Sequence, residues 1–199
     1  MKKVGSQSIQ LDNKVYILSS ASIVGPKESE GPLCEYFDLC LDDEFWGEKT
    51  WEKAESKIIK ETVNMAIAKS GVSSSDIDLC FAGDLLNQCI SSCFGLRSSN
   101  IPFFGVFGAC STFIEAICLG SVFISSGASK NVICATSSHF CSAEKQFRYP
   151  LELGNQRPQS AQWTVTGSGS VILSTSSNNS PYVSYLTPRK NRRHGRKGC

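Results

Sequence analysis

The chain has 199 residues, 41% of them hydrophobic and 19% charged, which suits a folded core and excludes a disordered composition. Its net charge of +2 comes from the end: residues 188–199 hold six Lys or Arg and no acid, and without them the body carries 14 basic and 18 acidic residues, a net of −4. A mildly acidic body excludes the basic footprint of a nucleic-acid-binding protein. The ten cysteines lack disulfide-scaffold spacing, contain no CxxC pair, and in part sit in apolar runs (Cys80, Cys118, Cys134), which predicts small buried side chains in a reducing compartment and no metal site. The first residues, MKKVGSQSIQLDNK, have no apolar run of the kind a secretory leader needs.

In chain order, residues 14–24 (VYILSSASIVG) read as a strand, and 25–50 as a long acidic loop punctuated by Gly25-Pro26 and Gly31-Pro32. Trp51, Ala54, Ile58, Val63, Ala66 and Ile67 recur near a 3.6-residue period, which predicts a helix over 51–70 stopped by Gly71. A short buried strand at 78–83 precedes a Ser- and Cys-rich helix at 87–98. Residues 103–127 carry one charge, Glu115, yet Gly105 and Gly108 break the run. It reads as a strand at 103–107 and a helix at 111–126, apolar almost all round, rather than as a membrane span. Further strands are predicted at 131–137, 163–174 and 182–186, the last two separated by a polar turn at 174–180. Strands alternate with helices and several are apolar throughout, which points to an α/β fold with a mainly parallel buried sheet and helices on both faces.

Four places carry residues suited to chemistry. In FGACST (107–112), Cys110 stands between a buried strand and a buried helix, with Ser111 and Thr112 behind it. Free N–H groups and the helix dipole at such a junction favour an anion, so the site suits a thiolate nucleophile or a pocket for a carboxylate; a structural cysteine is the plainer alternative. In ATSSH (135–139), His139 follows a strand end, where open α/β sheets collect ligands, and reads as a general base, a donor to an anion, or a surface histidine with its bonds satisfied. AEKQFRYP (143–150) offers Arg148 for carboxylate recognition, or an Arg148–Glu144 pair. Asp84, after another strand end, is placed to cap the next helix or to line the same cleft. VTGSGSV (165–171) opens no helix and lacks the phosphate-loop pattern, so it reads as a strand with close backbone approach.

GPKESEGPL (25–33), WEKAES (51–56), FGACST, ATSSH, FRYP (147–150) and VTGSG (165–169) together resemble successive motifs of the stage V sporulation protein AD family, from about residue 3 to residue 187. The resemblance implies the N-terminal half, residues 1–187, of a two-repeat thiolase-like fold, with Cys110 at the thiolase nucleophile position. It implies a soluble protein of the cytoplasm or forespore, peripheral to the spore inner membrane, that binds dipicolinic acid. Its expected partners are the other subunits of the channel that moves dipicolinate with calcium during sporulation and germination. Ligand-binding roles are then expected for Cys110, Ser111, Thr112, His139, Arg148 and Asp84, with no cofactor and no metal ligand. Acyl transfer by Cys110 is the enzymatic alternative, although the half that supplies the partner histidine and second cysteine of thiolases is absent. The basic stretch 188–199 resembles nothing in the family and reads as a frameshift or early stop, which makes a non-functional product a third reading and a homodimer through the uncovered helix face an expected assembly.

Overall fold

A computed structural model describes residues 1–148, 153–154, 156, 158–177 and 179–188; the stretch set apart above as a tail, Pro188 excepted, lies outside the described residues. Among the described residues eight strands form one sheet: β1 (Lys2–Val4), β2 (Ser8–Val24), β3 (Leu39–Cys40), β4 (Leu79–Gly83), β5 (Phe103–Gly105), β6 (Asn131–Ser138), β7 (Gly167–Ser174) and β8 (Tyr182–Leu186). The spatial order is β1-β2-β7-β6-β4-β5, with β3 and β8 also pairing with β2. The parallel expectation holds on one side, where β6, β4 and β5 run parallel. On the other side β2 pairs antiparallel with β1, β7 and β8, and β7 pairs antiparallel with β6, so the sheet is mixed.

Five α-helices accompany it among the described residues: α1 (Pro26–Ser29), α2 (Trp51–Ser70), α3 (Ile90–Leu96), α4 (Thr112–Ser125) and α5 (Phe140–Ala143). The 51–70 helix has its predicted bounds for identifiable reasons. The Thr50 hydroxyl accepts a hydrogen bond from the Lys53 N–H, and Gly71 closes the helix in the left-handed region at φ 71°. The 87–98 helix is shorter than expected, because Gln88 and Cys89 both take positive φ, 61° and 53°, and α3 begins only at Ile90. β2 starts six residues earlier than periodicity indicated, since β1 and β8 pair with its polar first half. β7 starts later than expected, at Gly167: the preceding Thr164 turns its N–H and hydroxyl to Glu144 instead of to a neighbouring strand.

The period-two alternation of the strands sorts side chains onto two faces. Leu79, Phe81, Val132, Cys134 and Leu173 pack with α4 residues such as Ala116 and Ile124. Cys80, Ala82, Ile133, Ala135 and Ile172 pack with Ile59, Val63 and Ala66 of α2 and Leu96 of α3. Helices therefore cover both faces, as expected. The largely apolar α4 is less bare than its sequence suggested: Ile117, Val122 and Phe123 are packed against the core, while Ile114 is 60% exposed. Cys80 and Cys134 are buried and Cys118 is half-buried. Among the described residues no helix is long and apolar enough to cross a membrane.

Candidate functional site

The parallel strands β4, β5 and β6 end at one edge of the sheet, and the connections leaving that edge carry the six candidate residues. Gly83, the last residue of β4, allows the chain after β5 to pass close by: a Cβ there would lie 1.9 Å from the Val106 carbonyl oxygen and 2.8 Å from a Thr112 methyl carbon. The chain then reaches Ala109 at φ 51°, an uncommon conformation for a residue with a side chain, and a single 3₁₀ turn, Ala109–Ser111, feeds into α4. Thr112 secures the turn, accepting from the Gly108 N–H at 2.9 Å and donating to the Ala109 carbonyl at 2.8 Å. The Ser111 hydroxyl donates to the Gly108 carbonyl at 2.7 Å. Cys110 stands exposed on this turn, with Phe107 beside it packed edge-on against Phe147 at 6.0 Å between ring centroids.

Arg148 ends the π-helical turn Glu144–Arg148 that also carries Phe147. Its guanidinium is engaged: Nη1 lies 3.5 Å from Glu144 Oε1 and donates to the Gln162 carbonyl. Glu144 in turn accepts from the N–H and hydroxyl of Thr164 at 3.0 and 2.9 Å. The Phe107–Phe147 contact thus joins the Cys110 turn to the Arg148 turn.

Asp84 and His139 lie deeper. Asp84 is 2% exposed and accepts from the N–H of Leu86 at 2.8 Å, the N–H of Ser92 at 2.7 Å and the Ser92 hydroxyl. It holds the β4–α3 connection in place, the capping role foreseen for it. His139 is fully buried, and both ring nitrogens meet backbone groups: Nε2 lies 2.9 Å from the Glu44 carbonyl and Nδ1 accepts from the Cys141 N–H at 3.3 Å. Nδ1 is thus the acceptor, and Nε2 faces the Glu44 carbonyl as donor. The ring also stacks on Trp51 and Phe140, so it fastens the 25–50 loop to the end of β6. The exposed Cys110 turn and the Arg148 turn are thus linked through Phe107 and Phe147, while Thr112, at 4% exposed, is buried, as are Asp84 and His139.

One residue of this edge was missed from sequence. Glu55 is 1% exposed on the sheet-facing side of α2. Its Oε1 accepts from the Ser137 hydroxyl at 3.0 Å and its Oε2 from the Ser142 hydroxyl at 3.3 Å. Burial, with repulsion from the Asp84 carboxylate added, raises its carboxyl from an ordinary 4.5 to about 8, against the opposing pull of the serine hydroxyls. The signal was available: Glu55 is three and four residues from Ile58 and Ile59, an acid inside an apolar stripe. Among the described residues no group of three or more His, Cys, Asp or Glu has metal-binding geometry.

The sequence model of stage V sporulation protein AD matches residues 5–197 of the chain. Stage V sporulation protein AD of Bacillus subtilis (strain 168) is 42% identical over 174 residues, which are 87% of this chain and 52% of that protein. The chain belongs to the stage V sporulation protein AD family. It spans about half the length of that curated member of the family. The 3-oxoacyl-[acyl-carrier-protein] synthase III of Aquifex aeolicus superposes with a TM-score of 0.55 at 16% identity, covering 80% of this chain and 53% of that one. The priming β-ketosynthase of the R1128 polyketide pathway gives 0.53 at 18% identity, covering 87% and 53%. OleA of Xanthomonas campestris gives 0.52 at 15% identity, covering 83% and 57%. At these identities the likeness is one of fold, and the fold of this family half is thiolase-like.

Proposed function

We propose that the chain is a dipicolinate-binding portion of a spore transport complex, working at the inner membrane as a peripheral component during sporulation and germination. Family membership supports the sporulation setting. The observation that supports binding is the Phe107–Phe147 contact, which joins the exposed Cys110 turn to the turn carrying Arg148; the mouth proposed for dipicolinate lies between them. Dipicolinate is a flat aromatic dianion. It calls for a cation and an apolar wall, for which the Arg148 guanidinium, once released from Glu144, and the Phe107–Phe147 pair are the candidates. Other channel subunits are the partners this reading requires.

The observation against an acyltransferase is equally specific. A nucleophilic thiol needs a base beside it, and the imidazole of His139 is bound at both nitrogens to backbone groups. Calorimetric titration with dipicolinate, with and without calcium, tests the proposal. Binding weakened tenfold or more by Cys110→Ala or Arg148→Ala supports the site; affinity unchanged by both substitutions removes it. Intact-mass analysis after incubation with acyl-CoA tests the alternative, for which a Cys110 acyl adduct is required.

A further inference from the structure

Glu55 has no part in the proposed dipicolinate mouth, yet it ties together two separate elements, the end of β6 and α5. One oxygen is held by Ser137 at the end of β6 and the other by Ser142 in α5, while its own backbone belongs to α2. The same α5 leads directly into the turn carrying Phe147 and Arg148. Two buried carboxylates, Glu55 and Asp84, face one another here. From α3 the neighbouring side chain is the buried Ser91, whose hydroxyl also reaches the Glu55 carboxyl, and Ser168 of β7 stands opposite Ser137. Beside Asp84 stand the thiols of Cys89 and Cys93, which burial and the Asp84 charge push upward; His139 is engaged on Glu44, and Arg148 on Glu144 and Gln162. No cation accompanies the pair in the bonds and ion pairs of the described residues.

We propose that Glu55 is a proton-dependent latch: its neutral carboxyl, lodged between Ser137 and Ser142 and beside Asp84, fastens the segment 139–148 to α2, and loss of its proton loosens that segment. A neutral carboxyl fits the site because it avoids repulsion with Asp84 and can donate its own hydrogen to a serine oxygen or to the Ser91 hydroxyl. An ionised one leaves two buried negative charges without a counter-ion, a costly arrangement relieved when the segment opens and water enters. The linkage has a definite sign. The closed carboxyl titrates near 8 and an opened, hydrated one near 4.5, so opening releases a proton throughout that interval. The latch is therefore strongest in acid and weakens as pH rises, with no further loss above about 8. This proposal stands apart from the dipicolinate reading and does not need it.

Hydrogen exchange of the amides of 139–148, corrected for intrinsic rates and compared with Glu55→Gln at each pH, tests the latch. In the unsubstituted chain protection is expected to fall about tenfold per pH unit between roughly 5 and 8 and then level off. Glu55→Gln, which cannot ionise, should show a flat profile. Infrared difference spectra provide a second readout that needs no stable variant: a protonated-carboxyl band should persist at neutral pH and vanish near pH 8. Ser142→Ala, removing one arm, should lower protection of the segment at every pH while keeping the slope. Protection equally pH-dependent with and without Glu55, or no protonated carboxyl at neutral pH, overturns the proposal.

Discussion

At the scale of single residues, the buried carboxylates decide stability more than the exposed thiol does. Asp84 accepts three hydrogen bonds in the β4–α3 connection, and removing it leaves two backbone N–H groups and a serine hydroxyl without their acceptor. Asp84→Ala is expected to cost about 2–4 kcal/mol in urea unfolding, and Asp84→Asn less because the amide oxygen still accepts. Glu55 acts in the opposite direction. Its folded carboxyl is raised above the unfolded value, so it subtracts stability as pH climbs from 4.5 to about 8. At about 1.4 kcal/mol per pH unit, Glu55→Gln should be several kcal/mol more stable than the parent at pH 8–9, and the advantage should vanish below pH 4.5. Melting curves across that range measure it; a pH-independent difference would contradict the assignment. The strand–turn–helix junction that carries Cys110 and Thr112 was legible in the sequence because a strand–Cys–helix junction has a recognisable pattern. The satisfied state of His139 was not, since its partner, the Glu44 carbonyl, is 95 residues away.

At the scale of elements, local signals located most pieces and long-range contacts set their ends. The helix 51–70 carried its own cap and stop in Thr50 and Gly71. The start of β2 and the late start of β7 did not show in sequence, because each depends on a partner far along the chain: β8 for the first, Glu144 for the second. Strand direction was legible only in part. Apolar runs in β4 and β6 marked burial on both faces, but β7 is equally apolar and antiparallel to its neighbours, so hydrophobicity reported cover and not direction. The crossing of the β5 exit over Gly83 is an element-level contact with a sharp consequence. A methyl at 83 would collide with the Val106 carbonyl, so Gly83→Ala should displace the Cys110 turn and lower the melting temperature by several degrees. A variant with unchanged melting and unchanged Cys110 reactivity would show that the two strands part easily.

At the scale of the molecule, apolar surface gathers along one end of the sheet. Edge strand β5 leaves Phe104 51% exposed, Phe107 is exposed to the same extent, and Ile114 on the first turn of α4 is more exposed still. A short unpaired edge flanked by aromatic side chains is a place where chains associate. The isolated chain is therefore expected to self-associate, and light scattering on size-exclusion peaks should show a dimer or larger species that Phe104→Ser with Ile114→Ser shifts toward monomer. A monodisperse parent monomer at high concentration would refute this. The central claim, that the Cys110 mouth receives dipicolinate, is tested most directly by alkylation. Cys110 and Cys93 are the two exposed thiols among the described residues, so one serves as reference for the other. With iodoacetamide and peptide mass analysis, saturating dipicolinate should slow alkylation of Cys110 tenfold or more and leave Cys93 unaffected. Equal alkylation of Cys110 with and without dipicolinate would contradict the account.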